Sequence, residues 1–91
     1  MATKEIIFEG RVQGVGFRYT TKELATGFDL CGTVKNLPDG TVQLHLQGDE
    51  DEVAEYLDEL LNENPVSRLI KNHIVRDIPA LTDVRGFKII S

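Results

Sequence analysis

A short turn sequence between two apolar stretches constrains the fold of this chain more than any other feature. Leu37-Pro38-Asp39-Gly40 contains a proline that presets φ, followed by an aspartate and a glycine that favour tight turns. Residues 41–47 then alternate between apolar and polar side chains, as a strand with one buried face does. The residues expected to face inward are Val42, Leu44 and Leu46. We therefore predict two strands, over residues 32–36 and 41–47, joined by this turn.

Periodic segments on both sides of these strands predict the rest of the fold. Residues 6–12 have the alternation of a strand, and residues 18–26 carry an apolar stripe at helical spacing. A second helix is predicted over residues 49–62, a fourth strand within residues 69–78 in an unsettled register, and a short last strand over residues 87–90. The order β-α-β-β-α-β with a terminal strand predicts an α+β, ferredoxin-like sandwich, in which a mostly antiparallel sheet carries two helices on one face. This fold hosts enzymes, RNA-binding modules and metal chaperones, so the function has to be inferred from a site.

Length and composition limit the class of protein. The 91 residues of the chain are enough for one folded domain, which is expected to span residues 1–91. With 41% hydrophobic residues, the composition is too apolar for a disordered chain. No apolar run approaches the ~20 residues that a membrane span needs, so we expect no membrane partner. The start, Met1–Glu5, lacks the layout of a signal peptide, and the single cysteine, Cys31, cannot form an internal disulfide. These features predict a cytoplasmic protein, and a monomer is the default expectation for a domain of this kind.

The charge of the chain argues against nucleic acid as a partner. The formal net charge is -5, and lysines and arginines alternate with acidic residues instead of clustering. A small anionic ligand stays compatible with this charge, because backbone N–H groups and one arginine can make a single pocket locally positive.

The stretch Gly10–Arg18 is the candidate functional segment. A strand ends here, two glycines (Gly14 and Gly16) fall within three residues, and a helix follows. Such a junction directs successive N–H groups into one concavity at the positive end of a helix dipole, and Arg18 at the helix start can pair with two phosphate oxygens. The spacing of the nucleotide P-loop is absent. Two interpretations stay open from the residues alone: a phosphate cradle, or a tight turn followed by an exposed arginine.

This stretch resembles the signature of the acylphosphatase family, Gly-x-Val-Gln-Gly-Val-x-Phe-Arg. The second half of the family pattern also occurs, as Gly32-Thr33-Val34-Lys35-Asn36 followed by Asp39-Gly40 and Val42. The resemblance implies that Arg18 binds the phosphoryl group and that Asn36 orients the attacking water. It also implies that the backbone amides of the loop cradle the phosphate oxygens; these belong to Gly14, Val15, Gly16, Phe17 and Arg18.

By the same resemblance, the expected reaction is the hydrolysis of small acyl phosphates, such as acetyl or carbamoyl phosphate, to carboxylate and inorganic phosphate. Inorganic phosphate is expected to inhibit as the product. Phosphoryl transfer depends mainly on positioning and charge stabilisation, and a carboxylate whose conjugate acid has a pKa of about 4 leaves without being protonated. The expectation is therefore an enzyme that needs no metal and no cofactor.

Other polar residues have structural interpretations. Asp49 and Glu52 have the spacing of a helix N-cap with a capping box. His45, His73 and Cys31 share no metal-ligand spacing, and Cys31 has no evident activating base.

Two other functions are weighed against the enzyme. One is an accessory domain that only binds phosphate or carbamoyl phosphate, as in the acylphosphatase-like domains of hydrogenase-maturation proteins. The other is a ferredoxin-like RNA binder, which would require exposed aromatic residues on the central strands. The outward positions of the third strand are instead occupied by Gln43, His45 and Gln47.

Overall fold

Five strands and two helices form the fold in the computed structural model, which describes residues 1–90; Ser91, the last residue of the expected 1–91 domain, lies outside it. The strands are β1 (Ala2–Gly10), β2 (Cys31–Asn36), β3 (Val42–Gly48), β4 (Ile70–Asp77) and β5 (Phe87–Ile89), and the helices are α1 (Phe17–Ala25) and α2 (Glu50–Asp58). Each predicted element is present at its expected place in the chain. The order confirms the α+β, ferredoxin-like fold predicted from the sequence.

The five strands form one sheet in the order β4-β1-β3-β2-β5. All neighbours are antiparallel except β2 and β5, which are parallel. The structure also defines the register of β4, which the sequence left unsettled: Ile6 of β1 lies opposite Val75, and Phe8 lies opposite His73. Strands β1 and β2 are therefore not neighbours, because β3 lies between them.

The hydrophobic core lies on one face of the sheet, between the strands and the helices. Ile6, Leu44 and Val34 lie opposite one another on β1, β3 and β2, and all three are fully buried. The core residues that the helical segments contribute include Phe17, Ala25, Val53, Tyr56 and Leu60. Because both helices contribute to the same cluster, both pack on the same face. The inward positions predicted for β3, Val42, Leu44 and Leu46, are all buried.

Strand β1 starts four residues earlier than predicted and ends two residues earlier, at Gly10. The pairing with β4 shifts between Glu9 and Gly10, and Gly10 adopts a φ of 128°. A Cβ atom at this position would lie 2.5 Å from the carbonyl oxygen of Leu69, so only glycine fits. Arg11 then donates its N–H to the same Leu69 oxygen at 2.9 Å, and the chain leaves the sheet.

The second helix differs in two respects from the prediction over residues 49–62. Asp49 occupies the N-cap, but within residues 1–90 its side chain makes no capping hydrogen bond, so the predicted capping box is wrong. The α-helix ends at Asp58 and continues as a π-helical turn, Glu59–Glu63, in which Asn64 donates its N–H to the oxygen of Glu59 at 2.8 Å. Asn64 is extended because it precedes Pro65, and a short 3-10 helix, Pro65–Leu69, leads into β4.

None of the helices formed by residues 1–90 has the length and apolar character that crossing a membrane requires.

Candidate active site

The two parts of the candidate site lie at one edge of the sheet. Phe8 near the end of β1 pairs with Val42 at the start of β3, and Val42 pairs with Asn36 at the end of β2. The loop of residues 11–16, between β1 and α1, and the turn of residues 37–41, between β2 and β3, therefore leave the sheet at the same edge. We call the first segment the cradle loop and the second the β2–β3 turn.

Two glycines determine the backbone conformation of the cradle loop. Gly14 and Gly16 have φ values of 75° and 78°, in the left-handed region that glycine adopts readily. Gly16 is the N-cap of α1, and within the described chain no side chain caps this end and its first turn contains no acidic residue. Among residues 1–90, no acceptor is found for the backbone N–H groups from Gly14 to Arg18. These donors, at the positive end of the helix dipole, suit an anion.

Arg18 is the second residue of α1 and is half-buried. No carboxylate among residues 1–90 forms an ion pair with its guanidinium group. Its backbone is held in place from two sides. The hydroxyl of Thr21 donates to the Arg18 carbonyl at 2.7 Å, and the ring of the preceding Phe17 packs edge-on against Phe8, with centroids 5.1 Å apart. The start of the helix is thereby attached to the core while the cationic group is left available for a ligand.

Asn36 lies on the same face of the sheet as the core, because its cross-strand partner Val42 is buried there. Its carboxamide oxygen, Oδ1, is buried and has no hydrogen-bond partner among the described residues. Leaving a buried polar group unpaired costs about 1–3 kcal/mol, and such groups are retained mainly where a ligand or water uses them. A buried hydrogen-bond acceptor without a partner among the described residues thus lies at the edge where the cradle loop begins.

Comparison with known proteins agrees with this geometry. The family model for acylphosphatase matches residues 4–89 of the chain. The chain belongs to the acylphosphatase family. A curated acylphosphatase of Clostridium acetobutylicum is 38% identical over 81 residues, which cover 89% of this chain and 88% of the relative. The crystal structure of the acylphosphatase of Bacillus subtilis is 34% identical, with a TM-score of 0.87 and complete coverage of both chains.

The acylphosphatase family hydrolyses acyl phosphates, and the chain is accordingly a hydrolase whose substrate is a small acyl phosphate. The same fold also occurs inside larger proteins. The crystal structure of HypF from T. kodakarensis is 30% identical with a TM-score of 0.85, and the match covers 100% of this chain but only 12% of that one.

A cavity of about 160 Å³ adjoins the cradle loop. Of the predicted site residues, Gly14, Gly16, Phe17 and Arg18 line it, whereas Val15 and Asn36 are not among its lining residues. Val12, Tyr19 and Ile89 complete the lining. Tyr19 directly follows Arg18, the last residue of the motif, and could have been found from the sequence. Ile89 could not, because only the parallel pairing of β5 with β2 brings it to this edge.

His45 and Cys31, which the sequence analysis also considered, lie away from the cradle loop. His45 faces Glu5, with its Nε2 atom 3.0 Å from a carboxylate oxygen. Cys31 borders a larger cavity of about 330 Å³ at the opposite end of β2 from Asn36. Across residues 1–90, no three His, Cys, Asp or Glu side chains are grouped as metal ligands would be.

Proposed function

We propose that this chain carries out hydrolysis of acyl phosphates at the sheet edge formed by the cradle loop and the end of β2. In this proposal Arg18 and the amides of residues 14–18 bind the phosphoryl group, and Asn36 orients the attacking water. The observation that carries the proposal is the buried, unpaired Oδ1 atom of Asn36 at the edge where α1 begins. A core-facing strand position would ordinarily hold an apolar residue, and an unpaired acceptor there suits a donor from outside the chain, such as water.

Binding of the phosphoryl group rests on the charges and donors of the cradle loop. The loop amides and the first turn of α1 offer N–H groups that are not used within the described chain, and Arg18 adds a cation without a carboxylate partner. Charge in the transition state of phosphoryl transfer is spread over the three equatorial oxygens. Donors already fixed around those oxygens stabilise that charge without reorganising during the reaction.

The chemical step balances with water as the sole co-reactant. The water oxygen forms a bond to phosphorus, the bond from phosphorus to the acyl oxygen breaks, and its electron pair stays on the departing carboxylate. The acyl phosphate dianion and water give a carboxylate and dihydrogen phosphate, which retains both protons of the water. Because the carboxylate has a conjugate acid with a pKa of about 4, it leaves without a proton donor. The proposed roles therefore include no general acid and no metal.

The test is the hydrolysis of benzoyl phosphate, followed by ultraviolet absorbance in the presence of EDTA, with inorganic phosphate titrated in. We expect turnover that persists in EDTA and is inhibited competitively by phosphate. Arg18→Ala should lower kcat/KM by about 10³-fold or more and weaken phosphate inhibition, since one preorganised donor alone contributes 10²–10³-fold. Asn36→Ala should lower kcat by about 10²-fold or more and leave the inhibition constant of phosphate within about twofold.

A matched control is Asn62→Ala, because Asn62 is exposed and its side chain bonds only to Asp58 within the described chain. This variant should retain wild-type kinetics. If Asn36→Ala weakened phosphate binding as much as it lowered kcat, Asn36 would belong to phosphate binding and not to water orientation.

The alternative weighed from the sequence, a domain that binds phosphate without turnover, predicts a different outcome of this test. In that case folded wild-type protein would bind phosphate but leave benzoyl phosphate intact. The monomeric state and the cytoplasmic location expected from the sequence stay predictions; size-exclusion chromatography with light scattering checks the first.

A further inference from the structure

The two halves of the proposed site belong to segments that are not adjacent in the sheet. The cradle loop follows β1, Asn36 ends β2, and β3 separates the two strands. Orienting a water against a bound phosphoryl group requires the distance between these halves to be fixed to a fraction of an ångström. A polar side chain that joins the two halves can fix this distance.

Gln13 is that side chain. It lies in the cradle loop immediately before Gly14, and its carboxamide nitrogen donates to two backbone carbonyls of the β2–β3 turn. The acceptors are the oxygens of Leu37 and Thr41, each 2.9 Å from Nε2. Both protons of the amide group are thereby used, and the bonds are partly buried, where water competes less for them.

The two acceptor residues are direct chain neighbours of Asn36 and of its cross-strand partner Val42. Leu37 follows Asn36 directly, and Thr41 precedes Val42, the residue paired with Asn36 across the strands. The turn is already closed on itself, because the Leu37 N–H donates to the Thr41 oxygen at 2.8 Å. Gln13 is therefore not needed to form the turn, and what its two bonds add is a connection between the turn and the cradle loop.

We infer that Gln13 is a positioning residue of this hydrolase, which sets the placement of the Asn36 carboxamide relative to the phosphoryl group held by the cradle loop. The inference rests on the proposed roles of Arg18 and Asn36. Gln13 is not assigned a contact with the substrate. Without its bonds the amides and Arg18 would still bind phosphate, while only the pairing of β1, β3 and β2 would hold Asn36 relative to them.

The test replaces Gln13 with methionine, which has similar length and no donor. Gln13→Met should lower kcat for benzoyl phosphate by ~10- to 100-fold, the effect expected from a displacement of about 1 Å near the reacting atoms. The inhibition constant of inorganic phosphate should stay within about twofold of wild type. Gln13→Asn keeps the donors on a shorter side chain, and its kcat should fall between those of the wild type and Gln13→Met.

Gln43→Met is the matched control. Gln43 lies on β3 one position beyond Val42, so its side chain points to the opposite face of the sheet, and within residues 1–90 it makes no side-chain hydrogen bond. The same substitution there should leave kcat unchanged. Every rate is measured well below the thermal transition of its own variant, so that loss of folded protein does not lower kcat.

A spectroscopic measurement separates positioning from a general loosening of the loop. In ¹⁵N-labelled protein, the side-chain amide signals of Asn36, assigned by their absence in Asn36→Ala, should shift in Gln13→Met. The changes that phosphate induces in the backbone amides of residues 14–18 should persist. A Gln13→Met variant with wild-type kcat, or one that loses phosphate affinity in proportion to kcat, would overturn the inference. Absence of turnover in the folded wild type would instead overturn the proposed function.

Discussion

Tyr56 carries a hydroxyl group into the core, and a single hydrogen bond compensates for its burial. The side chain is fully buried, burial raises its pKa, and the hydroxyl donates to the backbone oxygen of Thr21 at 2.7 Å, which joins α2 to α1. Tyr56→Phe should lower the free energy of unfolding by about 1–2 kcal/mol, because a bond is lost and a carbonyl group loses one partner. Tyr19→Phe is the control, since Tyr19 is exposed and should change stability by less than about 0.5 kcal/mol. Urea denaturation measures both; equal effects would show that the bond to Thr21 contributes nothing.

At the scale of single residues, the motif predicts which side chains act on the substrate but does not predict their contacts. The motif identified Arg18 and Asn36 as candidates, but it contained no sign that the Asn36 carboxamide is buried with an unpaired oxygen. That property depends on the pairing of Asn36 with Val42 across β2 and β3. The error at Asp49 has a similar origin: the spacing to Glu52 fits a capping box, yet spacing alone does not determine which rotamer an exposed carboxylate adopts.

At the scale of elements, a row of charged side chains joins three strands on the face of the sheet opposite the helices. Glu5 of β1 accepts from Nε of Arg76 on β4 at 2.7 Å and lies 3.0 Å from Nε2 of His45 on β3. The hydrogen bond to His45, and the bond and charge of Arg76, lower the pKa of Glu5 from its usual 4.5. A carboxyl group with a lowered pKa in the folded chain stabilises the fold above its unfolded pKa, and this contribution is lost as the pH falls through the folded value.

The corresponding prediction concerns Glu5→Gln. We expect this variant to be less stable than wild type by on the order of 1 kcal/mol at about pH 6, with the difference shrinking as the pH falls below 4.5. Glu9→Gln makes the same substitution on the same face of β1, where the carboxylate accepts from Asn72 and no cation pairs with it within residues 1–90. Urea midpoints of the three proteins over this pH range provide the test. A difference between wild type and Glu5→Gln that stays constant down to about pH 3 would contradict the assignment.

Elements were predicted where periodicity is strong, whereas the end of β1 and the register of β4 were not, because backbone contacts determine them. The alternation in β3 predicted its buried residues correctly. The end of β1 at Gly10 depends instead on the close approach of Leu69, some sixty residues later in the chain. The register of β4 also lacked a sequence signal. This strand is the outermost one on its side of the sheet, seven of its eight residues are exposed, and no apolar alternation marks a buried face.

At the scale of the whole molecule, the order of periodic segments was sufficient to predict the topology, since few arrangements of β-α-β-β-α-β satisfy the rules of strand connection. The contacts that complete the site were not predictable in this way. Gln13 reaches the turn after β2, and Ile89 reaches the cavity beside Arg18, only because the sheet places these segments at one edge. The sequence motif therefore predicts which groups act on the substrate, whereas the topology determines what surrounds them.

The whole molecule should also report phosphate binding through its stability, because a ligand that binds only the folded chain stabilises it. At phosphate concentrations tenfold above Kd the stabilisation is about 1.4 kcal/mol, which raises the Tm of a domain of this size by roughly 5–10 °C. If Arg18 binds the phosphoryl group and Asn36 acts on water, wild type and Asn36→Ala should show this rise, and Arg18→Ala should show much less. Differential scanning calorimetry at matched ionic strength measures all three proteins. Phosphate also stabilises proteins nonspecifically by exclusion from their surface, so an equal rise in all three would mean that the cradle loop does not bind it.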